Sequence, residues 1–291
     1  MSRRVKKEAE VVFVSTGGFS KASAFETAQK FIESGINNIE LSGGRYAPTL
    51  RKDLETLNGQ CNLRTHNYFP PQEKPFVLNL SSLNEELSRL SVDYYKEAMT
   101  WAVALGSDVY SFHPGSLVDL HVDELGQKIE KRKLFDRQKA TERLVNNVKE
   151  LSRFASENGL HLFVENNVLT RSNFLEFGDD PLLMTTPEET RFLMEQFPGN
   201  VSLLIDVAHL KVSAHTLGFQ PARMFEACDK WIKGYHLSDN DGTADSNEAV
   251  RDDSWFWPSL RKDLDYCVLE VYNVGYQTLK EQMDFVKGKL S

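Results

Sequence analysis

The sequence predicts an α/β protein, a (β/α)8 or TIM barrel, on three observations. Short, nearly continuous apolar runs recur eight times along the 291 residues. Each run is followed by a turn and then by a stretch with helical periodicity, and the longest connections all leave the C-terminal ends of runs. Runs of four to eight residues rich in Val, Ile, Phe and Tyr read as buried strands, and continuous rather than alternating apolarity marks parallel strands covered on both faces. Eight strand–helix units in a chain of this length are what the barrel requires. A doubly wound open sheet is the rival. It carries fewer strands and a Gly-rich phosphate turn after the first, and Gly17-Gly18 is not G-x-G-x-x-G.

Taken in order, the strands are expected over residues 11–15, 38–41, 63–66, 108–113, 160–165, 201–206, 231–237 and 266–271. Helices are expected over 22–33, with Ser20 as cap and Gly35 as stop, over 83–105, stopped by Gly106, and over 136–158, stopped by Gly159. A further helix over 188–196 is opened by Pro187 with Thr186 as its cap, and one over 276–289 closes the chain. Residues 66–83, 114–135 and 166–186 form long connections on the rim where barrel enzymes build their sites. No repeat, low-complexity run or linker divides the chain, so one domain over 1–291 is expected.

Composition bounds the function classes. Lys plus Arg number 34 and Asp plus Glu 42, a net charge of −8. That excess disfavours a nucleic-acid partner, whose phosphates call for a basic face. Cys61, Cys228 and Cys267 lie far apart with no C-x-x-C, as expected of free thiols in a reducing compartment. The basic start MSRRVKKEAE precedes an apolar run too short for a signal peptide, and no window approaches the ~20 apolar residues of a membrane span. A cytoplasmic location without a membrane partner is expected.

The chemistry collects at strand ends. The third ends in Arg64-Thr65-His66, the fourth in Ser111-Phe112-His113 and the fifth in Val164-Glu165-Asn166-Asn167. The sixth ends in Ile205-Asp206-Val207-Ala208-His209, the seventh in Tyr235-His236-Leu237-Ser238-Asp239 and the eighth in Leu269-Glu270-Val271. A lone His there is commonly a satisfied, hydrogen-bonded residue. A carboxylate abutting an apolar strand is harder to dismiss, because an unpartnered buried charge is costly. His, Glu and Asp without Cys suit one divalent ion, Zn2+, Mn2+, Co2+ or Mg2+. In a closed barrel Glu165, Asp206, His236 and Glu270 are neighbours at one mouth and could surround that ion, leaving positions for water or substrate oxygens.

With V-E-N at Glu165, D-V-A-H from Asp206 to His209, H-L-S-D-N-D-G from His236 to Gly242 and L-E-V at Glu270, the chain resembles the xylose-isomerase-like barrel superfamily over nearly its whole length. That superfamily includes sugar isomerases, ketose 3-epimerases, inosose dehydratases and the apurinic endonucleases. The resemblance implies a metal held by Glu165, Asp206, His236 and Glu270. It implies further that Glu165 and Glu270 exchange protons with a substrate carbon, and that His209 touches substrate oxygens. The chemistry of the residues agrees: enolisation beside a carbonyl needs a base on carbon and a cation on the developing oxyanion of an enediolate. The function expected is therefore isomerisation or epimerisation of a sugar or sugar derivative, with a dehydrating lyase of a keto-polyol as alternative.

A phosphodiesterase of the endonuclease kind is a further alternative, in which His66, His113 and Glu165 hold a second ion. Its third site would need His209, Asp245 and a His where this chain has Asn247. In the sugar reading His66 and His113 become substrate-binding residues. Asn166 is also expected to bind substrate hydroxyls, though Asn after a strand is a common turn residue. Trp257, with Trp255, could stack on a sugar ring or pack the rim. Tyr68 could wall the pocket, Lys211 could pair with an acid group, and Asp239, Asn240 and Asp241 could orient His236. A homodimer paired through rim loops is compatible with the resemblance.

Overall fold

The eight apolar runs become eight parallel strands, paired in sequence order and closed into a barrel. The computed structural model describes residues 12–262, 264 and 266–291. The strands are β1 Val12–Ser15, β2 Asn38–Leu41, β3 Asn62–His66, β4 Val109–Phe112, β5 His161–Glu165, β6 Val201–Asp206, β7 Ile232–Leu237 and β8 Tyr266–Leu269. Residue 11, expected in the first strand, and the basic segment before it lie outside the described residues.

The helices, again among the described residues, are α1 Ala24–Glu33, α2 Leu50–Glu55, α3 Glu85–Ala104, α4 Arg137–Glu157, α5 Arg171–Phe177, α6 Pro187–Gln196, α7 Val207–Leu217, α8 Ala222–Cys228 and α9 Tyr276–Leu290. None is long and apolar enough to cross a membrane. The cap of α1 is Ser23 rather than Ser20. Its hydroxyl accepts the Glu26 amide at 3.2 Å while Glu26 accepts the Ser23 amide at 2.8 Å, a reciprocal pair that Ser20 cannot offer. The connection expected over 166–186 holds a helix, α5, capped by Thr170 and ended by Gly178 in the left-handed conformation.

Inside the barrel the side chains stack in layers. Phe13, Val109, Phe163, Leu204, Tyr266 and Val268 form an apolar floor, and the Arg64 guanidinium lies over the Phe13 and Tyr266 rings at 4.2 and 4.8 Å. Above this floor the strand ends turn polar. A register shift between Leu203 and Leu204 brings Asp206 directly opposite His236 on β7.

The rim loops are sewn together by buried amides. The Asn79 side chain donates to the Ser116 carbonyl at 3.1 Å and to Asp119 at 2.9 Å, and accepts from the Ser116 amide at 3.0 Å. The Asn167 side chain donates to the carbonyls of Gly115 and Leu183, both at 2.9 Å. Glu124 anchors the loop after β4. Arg132 donates to both its oxygens at 2.8 and 2.5 Å, and the amides of His121 and Glu130 add 2.7 and 2.8 Å bonds.

These donors, Arg132 foremost, hold the Glu124 carboxyl down at about 2 although burial opposes them. A group whose folded value lies below its ordinary one stabilises above that ordinary value and loses its effect as pH falls towards the folded value. Glu124→Gln should therefore cost about 2 to 3 kcal/mol at pH 7. The gap from wild type should close between about pH 4.5 and pH 2 in thermal melts; a gap independent of pH would contradict this account.

Candidate active site

Four imidazoles converge on one carboxylate. Glu165, at the end of β5, is fully buried. Its Oε2 lies 3.5 Å from His66 Nε2, 3.3 Å from His113 Nε2 and 3.4 Å from His236 Nδ1, and its Oε1 lies 3.2 Å from His209 Nδ1. His236 Nδ1 also faces Glu270 Oε2 at 3.4 Å. Asp206, fully buried at the end of β6, caps α7 by accepting the His209 amide at 2.7 Å, and its Oδ2 stands 3.9 Å from His209 Nε2. His209 Nε2 meets Asp245 Oδ2 at 3.2 Å.

Burial raises the cost of every charge here, and the neighbours decide the outcome. It pushes Glu165 up, but His236, His113 and His66 outweigh it and hold the carboxyl well below the usual range. Glu270 is likewise held at about 2 by His236 against its own burial. Asp206 goes the other way, to about 7: burial dominates, and Glu165, Asp245 and Glu270 crowd it with like charge that His209 only partly offsets. Burial would lower His209 and His236, yet the facing carboxylates raise both well above an ordinary imidazole.

This set fits a divalent cation. Both oxygens of Glu165, Asp206 Oδ2 and His236 Nδ1 are buried and make no hydrogen bond of normal geometry, which is costly unless something else binds them. Asp206, His236 and Glu270 offer ligand atoms within 4.8 Å of one another, as do Glu165, Asp206 and His209, and His66, His113 and Glu165. Oxygen and imidazole donors of this kind suit a hard to borderline ion.

The pocket above these groups has a volume of about 170 Å³. It is lined by Ser42, His66, Asn67, Tyr68, His113, Glu165, His209, Asp245, Asn247, Glu270 and Tyr272. Of the residues expected to bind substrate, His66, His113 and His209 are there. Two are not. The Asn166 amide is committed to the Asp206 backbone, accepting from its N–H at 2.8 Å and donating to its carbonyl at 3.1 Å, so it clips β5 to β6. The Trp257 indole donates to the Arg251 carbonyl at 2.7 Å and packs on Phe285 and Lys289 of α9, away from the mouth. Tyr68 reaches the pocket as expected, Trp255 packs on Phe225 and Phe256, and Lys211 pairs with Asp239 at 2.7 Å.

Two residues that sequence reasoning missed belong here. Glu40 on β2, fully buried, places Oε1 3.3 Å from His236 Nε2. Its only trace in the sequence is an acid inside the apolar run Asn-Ile-Glu-Leu. Tyr272 sets its hydroxyl 3.5 Å from Glu270 Oε1. Gly17 and Gly18 make room for its ring, since a Cβ on either would stand 2.2 or 2.9 Å from Tyr272 atoms. That explains a glycine pair that is no phosphate turn.

A family model described as xylose isomerase-like TIM barrel matches residues 25–284. The chain is 21% identical over 187 residues to the uncharacterised protein MJ1614 of Methanocaldococcus jannaschii, covering 64% of this chain and 62% of that relative. Among solved structures, a D-tagatose 3-epimerase-like protein superposes with a TM-score of 0.70 at 20% identity over 97% of this chain and 100% of the other. The TTHB071 protein from Thermus thermophilus, soaked with ZnCl2, superposes at 0.64 with 20% identity over 96% and 98%. The chain belongs to the xylose isomerase-like TIM barrel family.

If the orphaned atoms of Glu165, Asp206 and His236 are metal ligands, an ion present at 100 times its Kd stabilises the fold by about 2.7 kcal/mol, a shift of several degrees in Tm. Scanning with Mn2+, Co2+, Zn2+ and Mg2+ should show that shift, EDTA should reverse it, and Asp206→Asn or Glu270→Gln should remove most of it. No shift with any of the four ions would count against a metal site.

Proposed function

We propose, from family membership and from this pocket, that the chain is a divalent-metal-dependent isomerase or epimerase of a sugar or sugar derivative, working by proton transfer at carbon. The observation that carries the proposal is the meeting of two carboxylates, Glu165 and Glu270, at His236, each 3.4 Å from its Nδ1, with both lining one open pocket. An ion held by Glu165, Asp206, His236 and Glu270 would supply positive charge against a substrate oxygen as negative charge develops on it.

The chain's own residues supply the rest. Glu165 and Glu270 are both held ionised by facing histidines, so either can accept a carbon-bound proton, and the proton returned to the opposite face comes from solvent by way of the other carboxylate. His66, His113 and His209 line the pocket with ring nitrogens that can hold substrate hydroxyls and keep the reacting carbon between the two carboxylates. The Tyr272 hydroxyl beside Glu270 donates a further hydrogen bond on that side. Dehydration of a keto-polyol begins with the same proton abstraction, so the lyase alternative uses the same residues.

One observation favours a second reading, hydrolysis of a phosphodiester. His66 and His113 join Glu165 in a set that could hold a second ion, as the endonuclease branch would require. Against it, among the described residues lining the pocket none is Lys or Arg, and Asn247 occupies the position of a needed histidine. Incubation with abasic duplex DNA separates the two, and nicking there would overturn the sugar proposal.

Glu270→Gln should leave the fold intact and cut exchange of substrate carbon-bound hydrogen with D2O by roughly 10²- to 10⁴-fold. The measurement is NMR of a ketose and polyol panel incubated with each protein. Wild-type exchange in the variant would remove Glu270 from the proton-transfer role.

A further inference from the structure

We propose that Glu40 fixes the proton positions of His66 and His236 together, through a buried hydrogen-bond chain to His66 and a direct charge contact with His236, so that both turn an unprotonated nitrogen towards Glu165. This rests on the reading that the site takes a divalent cation, which His236 can ligate only through a bare nitrogen, while His66 offers its own to a substrate hydroxyl.

The chain runs across the barrel below the pocket. Glu40 Oε1 stands 3.3 Å from His236 Nε2, a charge contact outside hydrogen-bond geometry, and Glu40 Oε2 accepts the hydroxyl of Tyr266 on β8. Tyr266 Oη lies 2.7 Å from Ser111 Oγ on β4, and Ser111 Oγ lies 2.9 Å from His66 Nδ1. A tyrosine or serine hydroxyl has one proton to give, and a carboxylate has none. With its proton committed to Glu40, Tyr266 must accept from Ser111. Ser111, its proton given, must accept from His66 Nδ1–H.

On the other arm the carboxylate calls for a proton on His236 Nε2. Both ends thereby release the pocket-side nitrogen, His66 Nε2 at 3.5 Å and His236 Nδ1 at 3.4 Å from Glu165 Oε2. One acceptor on β2 sets two histidines on β3 and β7.

The partners expected to orient His236 are otherwise engaged. Asp239 is held by Lys211 and by Ser254 at 2.7 Å each, Asn240 donates to the Ala208 carbonyl at 3.0 Å, and Asp241 accepts from Thr243. The fold instead makes room for the Tyr266 link. Gly234, beside it on β7, leaves a space in which a Cβ would stand 2.6 Å from the Tyr266 ring. Glu40 is thus a positioning residue, acting through His236 and through the Tyr266–Ser111–His66 arm.

The test reads protons and affinity, not turnover. Histidine-selective 15N NMR of the Zn2+-loaded protein should show His66 protonated at Nδ1 and His236 at Nε2. Glu40→Gln puts an amide donor where the acceptor was, so Co2+ affinity should fall about 10- to 100-fold and the His236 pattern should change. Tyr266→Phe cuts only the arm to His66. There His66 should lose its preference while His236 keeps its own.

Wild-type Co2+ affinity with unchanged ring patterns in Glu40→Gln would overturn the proposal. So would a wild-type His236 without a proton at Nε2, which would make Glu40 a ligand instead. If Glu40→Gln does not fold, Tyr266→Phe decides, and an unchanged His66 overturns the proposal. If wild type binds no divalent ion, the metal reading falls by itself. The ring-proton pattern of the ion-free protein at alkaline pH then still supports or refutes the chain.

Discussion

Glu165 sits at the end of a barrel strand with no solvent exposure, and neither of its oxygens accepts a hydrogen bond of normal geometry. A carboxylate in that position destabilises the fold by several kcal/mol unless charge of the opposite sign surrounds it. Here the surroundings are His66, His113, His209 and His236, contributed by β3, the residue after β4, α7 and β7, all within 3.5 Å. No element could deliver that shell alone. It exists because barrel closure turns the ends of strands far apart in sequence towards a single axis.

The rim loops serve the same end. Asn166 clips β5 to β6 through the Asp206 backbone, which fixes Asp206 relative to Glu165. Asn79 and Asn167 tie the loops after β3, β4 and β5 to one another, so His66 and His113 stand on a framework of buried hydrogen bonds. These amides contribute order rather than contact with a ligand, and each bonds backbone groups that would otherwise be orphaned.

How much of this was legible in the sequence depends on how local each signal is. The strands were legible to within two residues at either end, because continuous apolarity is local. The six polar strand ends were legible for the same reason: Asp206, His236 and Glu270 offer ligand atoms close together, and Glu165 does so with Asp206 and His209. Glu40 was not. An acid in a four-residue strand looks like an outward-facing residue until β1 pairs with β8 and makes its side the interior, with partners 196 and 226 positions away in sequence. Asn166 and Trp257 misled in the opposite sense. Their residue types suit sugar hydroxyls and rings, but the nearest unpaired backbone carbonyls claimed them first. The cap of α1 and the helix α5 were lost to short-range competition among several Ser and Thr candidates.

The charge pattern suits a cation better than a purely protein-satisfied network. Glu165, Asp206, Glu270, Asp245 and Glu40 place five acids among four imidazoles. If each imidazole took a second proton, the nitrogens would neutralise most of that charge but could ligate nothing. Asp206 marks the strain of this compromise, driven to about 7 by burial and by like charges around it. A single divalent charge at the centre would relieve Asp206 and Glu165 together and let His236 stay neutral, provided its remaining proton is already pointed outward. The proposed arrangement would meet that proviso from below for His66 and His236, by a carboxylate, a phenol and a serine hydroxyl on three strands. The polar mouth and the layer beneath it are thus one electrostatic unit, and the geometry of the first is set by the donor–acceptor order of the second.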